Sequence, residues 1–302
     1  MTFSRTNHQI LRKERHFEWA SRDIHEKIVI MISFVIFALY SATLLFAVLW
    51  VAYNSLKTAR AFDTNPFSLP DITDLQWSNY AQAWKADVKG VTILEAFWNS
   101  IWMSFVSVVL GLLASSMTAY VVAKYHFRGS KIIYAVAVFI QIIPLVGGVS
   151  GFYKLVWSDL QIANDPFLIW PMWFGGFGFS FLILVSAFKS IPWDYAESAF
   201  VDGAGHFRVF WQIMLPMVRP VLASLFIVNM ISAWSEYMTS YLYLPDYPTL
   251  AFAVYELSTE AVRVGTPLYF AIIIIAMLPT LILFTVFQKM IMENTTTGGL
   301  KG

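Results

Sequence analysis

The chain has 302 residues, 58% of them hydrophobic and 13% charged, with a mean hydropathy of +0.62. Soluble domains carry about a quarter charged residues, so an ordinary soluble domain is excluded and one polytopic membrane domain is indicated. A net charge of +1 offers no handle to nucleic acid or to an acidic partner, and the lack of cysteine removes disulfides, thiolate metal sites and cysteine nucleophiles together.

Residues 1–27 form a charged N-terminal tail, in which Phe17, Trp19 and Ile24 stand among basic residues. The tail reads equally as a surface-lying amphipathic helix or as a solvated segment. The apolar run after it is too long for a secretory signal and shows no small-residue cleavage site, so it is taken as an uncleaved first span. Charge-free runs at 28–52, 96–123, 132–153, 166–188 and 267–287 each meet the roughly 20 residues needed to cross a ~30 Å hydrocarbon core. A further run, 220–244, contains one acid, Glu236, toward one end. A mid-span acid costs ~3 kcal/mol, and neighbours such as Leu225, Phe226 and Ile231 each return ~0.3–0.6 kcal/mol. The expected fold is all-α with six transmembrane helices.

Within the second span, Ser107, Gly111 and Ser115 form a small-xxx-small row. Such rows let helix backbones approach closely in lipid, which predicts packing within the chain, with a subunit contact as the alternative. Residues 53–95 hold Pro66, Pro70, Trp77, Tyr80 and Trp84 and are long enough to fold over the membrane surface. Residues 244–266 carry Pro245, Asp246, Tyr247 and Pro248, and neither loop has metal-ligand spacing.

Lys and Arg bias sets orientation. The N-terminal tail, the 124–131 connection, the 189–219 loop and the C-terminal end (tail 293–302) hold fourteen of the 20 Lys and Arg residues, and the alternate set holds six, mostly in its longest loop. Both termini and the 189–219 loop are therefore expected on the cytoplasmic side.

That loop contains ESAFVDGAGHFRVFWQIMLP, residues 197–216. Pro192 suits a first helical turn, and Trp193 to Val201 propagate without a breaker. Ala196, Ser198 and Ala199 keep the surface slim enough to enter a cleft, and Glu197 is the one strong handle for a basic partner. Gly203 and Gly205 are expected to break the helix through the positive φ that glycine tolerates. Phe207, Phe210, Trp211 and Met214 then fall at i, i+3, i+4 and i+7, an apolar face suited to the membrane interface. Pro216 and Pro220 are expected to end it and turn the chain into the fifth span. Two short helices at roughly a right angle result, one exposed and one anchored.

The string Glu197-Ser198-Ala199, with Gly203, Ile213, Leu215 and Pro216 at fixed spacing, resembles the EAA motif of binding-protein-dependent ABC importer permeases. Only Ser198 departs from the E-A-A-x-x-x-G-x9-I-x-L-P pattern, and it remains small. Phe97-Trp98-Asn99-Ser100, Tyr125-His126-Phe127-Arg128-Gly129, Pro144 and Gly298-Gly299-Leu300-Lys301-Gly302 resemble the sugar-permease branch, notably the smaller maltose-type permease subunit. The resemblance implies a type I importer permease fold in a bacterial or archaeal inner membrane. It also implies a second homologous permease subunit, two ATPase subunits that carry ATP and Mg, and an external solute-binding protein. In that family the segment around Glu197, Ser198, Ala199, Asp202, Gly203 and Ala204 is a coupling helix seated in the ATPase, and the C-terminal tail tends to reach the ATPase pair. Transport then runs by alternating access, driven by different ATP-linked affinities for two states.

No Gly-x-x-x-x-Gly-Lys-Ser/Thr loop occurs, since Gly129-Ser130-Lys131 lacks both the earlier glycine and the following Ser/Thr. No nucleotide site is expected on this chain by that route, and no cofactor, metal or catalytic residue is assigned to it. Polar groups at membrane depth usually face the protein interior or a water-filled path, and aromatic faces beside hydrogen-bonding groups suit sugar rings. Asn229, Trp234, Glu236 and Tyr237, with Gln141, Trp170 and Trp173 behind them, are the substrate-path candidates. Trp234 and Tyr237 read equally as an external aromatic belt, and Glu236 as a bond to a neighbouring helix.

Three rivals fare less well. A secondary transporter needs coupling-ion groups within the membrane and often shows repeated halves; one acid and no repeat count against it. A voltage-gated channel needs regularly spaced arginines in one span. An enzyme needs a nucleophile and a base that converge, yet the five histidines all lie outside the spans. A permease for a non-sugar solute is the main alternative.

Overall fold

The computed structural model describes residues 23–142, 148–172, 177–259 and 265–296. Three helices among them are long and apolar enough to cross a membrane: Ile24–Asn54, Ile93–Lys124 and Thr266–Gln288, the last continuing to Thr296. A fourth crossing is available if His206–Met217 and Arg219–Ser235, bent by 76° at their junction, act as one span.

Local chemistry sets the helix starts. Asp23 caps the first helix by accepting from the Ile24 amide at 2.7 Å. Thr92 and Glu95 form a reciprocal capping box at the start of the second long helix, satisfying amides that the helix itself leaves unpaired. This box follows a two-stranded hairpin, Asp87–Val88 with Val91–Thr92, whose turn places Lys89 and Gly90 at positive φ.

The runs predicted at 132–153, 166–188 and 220–244 are interrupted in different ways. The first holds Ser130–Ile142 and Gly148–Lys154, the latter widening into a π-helical turn, Leu155–Asp159. The second holds Pro166–Met172 and Phe179–Ser190. Residues 143–147, which include Pro144, and 173–176 lie outside the described residues. The third is not one continuous helix: Arg219–Ser235 stops at Glu236, which is extended at φ −78°, ψ 120°, and Met238–Tyr243 restarts the chain. The Glu236 carboxylate accepts from the Thr239 amide at 3.0 and 3.3 Å. The acid thus serves a helix start rather than lying within a helix.

Ile93–Lys124 packs mainly against Phe179–Ser190 and Arg219–Ser235, and the latter also packs on Thr266–Thr296. One buried cluster joins Tyr120, Phe181, Phe188, Phe210 and Met214. A second, at the other end of the long helices, joins Ile93, Trp234, Leu250, Leu257 and Ile272. There Asn99 donates to the Pro248 carbonyl at 3.1 Å and Ser100 accepts from the Leu250 amide at 2.7 Å, fixing the helix Leu250–Thr259 over the hairpin. In lipid, apolar burial gives little drive to associate, so close packing and such hydrogen bonds hold the helices. The apolar stretch of Ile24–Asn54 is uncovered by the rest of the chain, with Phe34 71% and Phe37 69% exposed.

Candidate coupling elbow and polar cavity

The segment 194–217 folds as an elbow. Asp194–Val201 is a helix closed by a Schellman turn: Ala204 N–H donates to the Ala199 carbonyl at 2.9 Å and Gly203 N–H to the Phe200 carbonyl at 3.0 Å. That geometry needs a left-handed residue after the cap, and Gly203 supplies it at φ +81°. Gly205 differs from expectation. It sits in extended backbone at φ −78°, ψ 161°, ahead of the helix beginning at His206, so only Gly203 exploits glycine's positive φ.

The outward face of this helix carries Glu197, Ser198, Val201 and Asp202, with Val201 88% exposed. The Glu197 carboxylate has no ion-pair partner among the described residues, whose ion pair is Lys89 with Glu256 at 3.1 Å. Ser198 turns its hydroxyl back to the Asp194 carbonyl at 2.8 Å. The expectation that small residues slim the outer surface needs correction. Ala196 is fully buried and Ala199 half-buried, because the inner face must lie flat on the chain's own core.

The second half also departs from a single interfacial face. Val209, Phe210 and Met214 are buried, while Phe207 is 68% and Trp211 38% exposed. The expected end at Pro216 is not observed. Residues Phe210–Met214 widen into a π-helical turn and the helix continues through Leu215–Met217. Proline lacks an N–H and crowds the carbonyl four residues back, and a wider turn relieves both. Ile213, Leu215 and Pro216 are half-buried. The chain bends two residues after Pro216, at Val218, and Pro220 sits in the first turn of Arg219–Ser235.

An aromatic brace that sequence reading missed fixes the elbow to the end of the second long helix. Tyr125 packs edge-on against Trp193 at 5.7 Å and His206 at 5.6 Å, and its Oη bonds His206 Nδ1 at 2.8 Å. Phe200 meets His206 at 4.8 Å, and Tyr120 meets Phe188 and Phe210 at 5.6 and 5.2 Å. Lys124 Nζ donates to the Ile191 carbonyl just past the end of Phe179–Ser190, where a cation suits the negative end of the helix dipole. The available signal was Lys124-Tyr125 directly after an apolar run, in a connection expected on the same side of the membrane as the elbow.

A cavity of about 450 Å3 opens between Ile93–Lys124, Arg219–Ser235 and Met238–Tyr243. Asn229 and Glu236 line it, as do Ser104, Ser107, Gly111 and Ser115. Of the small-residue row, Gly111 borders open space, where an added Cβ meets nothing within 4 Å, while Ser115 is buried. Asn229 Nδ2 donates to Ser180 Oγ at 2.9 Å and to the Leu225 carbonyl at 2.7 Å, tying two cavity walls together.

The other path candidates lie elsewhere. Trp234 is 6% exposed, donates its indole N–H to the Ala276 carbonyl at 3.0 Å and packs edge-on against Phe97. A packed ring whose only donor is occupied cannot also face the cavity. Tyr237 stacks on Tyr255 at 4.6 Å. Gln141 is exposed, beside Gly178. Trp173 lies outside the described residues, and so does the side chain of Trp170.

A polytopic helical bundle with a braced elbow on one side and a polar cavity inside defines a membrane permease of the ABC importer class. The family profile described as "Binding-protein-dependent transport system inner membrane component" matches residues 107–295, and the chain belongs to that family. It is 32% identical over 279 residues to the diacetylchitobiose uptake system permease protein NgcG of Streptomyces coelicolor, covering 88% of this chain and 87% of that one. The maltodextrin transport system permease protein MalD of Streptococcus pneumoniae is 26% identical, with 82% and 88% covered. A solved bacterial ABC transporter involved in import of the acidic polysaccharide alginate shares the fold at TM-score 0.70 and 19% identity, covering 89% of this chain and 98% of that chain.

Proposed function

We propose that this chain is the membrane-spanning permease subunit of an ATP-driven, binding-protein-dependent importer of a carbohydrate of oligosaccharide size, and that it couples to a separate ATPase through Asp194–Val201. The observation that carries the coupling role is the outward row Glu197, Val201 and Asp202 on a helix whose opposite face is locked to the chain's own core. A lever transmits force only if it is stiff at its base and free at its tip. Carbohydrate as cargo is supported by the diacetylchitobiose and maltodextrin permeases among its relatives.

In this reading both termini and the elbow are cytoplasmic, six segments cross a bacterial or archaeal inner membrane, and a second permease completes the pathway. This chain hydrolyses nothing; ATP and Mg belong to two partner ATPase subunits. ATP closes the ATPase pair, the elbow moves with it, and the brace through Tyr125 and Lys124 passes the motion to Ile93–Lys124, which walls the cavity. A driven switch of this kind needs only that the ATPase bind the two states with different affinity.

The test is purification of the tagged chain from its native membrane, then uptake assays in vesicles. A nucleotide-hydrolysing chain and a second permease should co-elute, and carbohydrate uptake should require both ATP and the binding protein. Uptake by this chain alone, or ATP-driven uptake restricted to solutes other than carbohydrates, overturns the reading.

A further inference from the structure

The polar cavity has a hydrogen-bonding bias that bears on which carbohydrates it admits. Among the described residues its lining includes one acid, Glu236, and no lysine, arginine or histidine. Two lining hydroxyls direct their proton into the protein: Ser107 donates to the Ser104 carbonyl at 3.0 Å and Ser232 to the Val228 carbonyl at 3.1 Å. The two hydrogens of Asn229 Nδ2 are likewise engaged within the fold. A hydroxyl that donates inward presents only lone pairs to the cavity. Glu236 is an acceptor on both oxygens when ionised, and the Thr239 amide holds its carboxylate in place.

From this we infer that the cavity is an acceptor-rich, anion-excluding carbohydrate subsite in which Glu236 discriminates against acidic sugars. This rests on the transport reading above and specifies the cargo within it. Sugar hydroxyls are donors and match the wall, and a carboxylate accepting from adjacent hydroxyls forms charge-assisted bonds, the stronger kind. A uronate carboxylate only accepts. In this cavity it faces lone pairs and the Glu236 carboxylate, and like-charge juxtaposition disfavours it. A shared fold therefore need not mean a shared cargo: one solved structural neighbour is involved in import of an acidic polysaccharide.

The experiment uses the complete importer in nanodiscs without its binding protein, so that delivery does not set the preference. Saturation-transfer NMR is recorded with maltotriose or diacetylchitobiose and with trigalacturonate. The expected result is transfer to the neutral sugars and at least roughly tenfold less to the uronate, a difference of ~1.4 kcal/mol. Glu236→Gln keeps an oxygen for the Thr239 amide while removing the charge, and it should raise the uronate-to-neutral ratio at least roughly tenfold. Gly111→Phe should abolish the signal and so place it in this cavity. Equal binding of uronate and neutral sugar to the unmodified importer, or a ratio that Glu236→Gln leaves unchanged, overturns the inference. Carbohydrate uptake with no binding to this cavity overturns the subsite and leaves the importer intact. Absence of all carbohydrate uptake overturns the transport reading and the subsite with it.

Discussion

Tyr125 Oη and His206 Nδ1 lie 2.8 Å apart across 81 residues of sequence. This bond pins the hinge of the elbow, just after Gly205, to the C-terminal end of the helix that walls the cavity. Trp193 and Phe200 close around the pair, so the base of the elbow is held by ring packing as well as by the hydrogen bond.

Loosening that base should weaken coupling before it weakens assembly. Tyr125→Phe removes one hydrogen bond, ~0.5–1.5 kcal/mol, and should lower substrate-stimulated ATP hydrolysis modestly. Tyr125→Ala also removes the ring contacts, at ~0.5–1.5 kcal/mol per aromatic pair, and should lower it by roughly tenfold or more. Side-by-side ATPase assays on the reconstituted complex decide the matter; equal stimulation in all three proteins would show that the brace transmits nothing.

The two glycines of the elbow should behave differently. Neither Cβ would meet an atom within 4 Å, but Gly203 sits at φ +81° and Gly205 in ordinary extended backbone. Placing an L-residue in the left-handed region costs ~1–2 kcal/mol. Gly203→Val should therefore deform the Schellman turn and cut coupled transport sharply, whereas Gly205→Ala should have a small effect. Uptake in vesicles measures both, and an equal response to the two changes would remove Gly203 from the mechanism.

Filling the cavity should block passage without disturbing packing. The space beside Gly111 is open, so Gly111→Phe avoids the overpacking cost of ~1–3 kcal/mol met in dense cores. Uptake should fall at least roughly tenfold, a barrier of ~1.4 kcal/mol, while the melting temperature of the complex stays close to that of the unmodified importer. A fully active variant would place the solute path elsewhere.

Lys57, outside the spans, is 3% exposed; its Nζ donates to the Asn65 and Pro66 carbonyls at 3.1 and 3.4 Å and to Ser68 Oγ at 3.3 Å. Burial pulls its pKa below the usual lysine range. The folded chain then holds this proton more weakly than the unfolded chain, so between the lowered value and the usual range the unfolded state binds more protons and stability rises with pH. The melting temperature of the unmodified importer relative to Lys57→Met should therefore increase as pH climbs toward the usual lysine range. A flat or falling difference would contradict the assignment.

Run length and motif spacing carried much of the reading. The apolar runs at 28–52, 96–123 and 267–287 became continuous helices, because backbone hydrogen bonding within hydrocarbon admits little else. The elbow was legible from Gly203 and the EAA spacing, both local features. Less was legible where one residue has two ways to satisfy the same chemistry. Glu236 read as a residue inside a span and proved to lie at a break between two helices, its carboxylate accepting from the Thr239 amide. Trp234 read equally as a path residue or an aromatic-belt residue and proved to be packed core.

By itself, then, the sequence determined the membrane class, the long apolar helices and the position of the elbow, since each depends on composition or on spacing along one stretch of chain. The tertiary structure alone decided which faces turn inward. It sent Phe210 and Met214 to the core and Phe207 to the surface, set Gly111 beside a cavity, and joined Tyr125 to His206. The physical reason is that lipid and protein interior satisfy an apolar side chain about equally well. Only contacts between distant segments distinguish the two, and no local pattern records them.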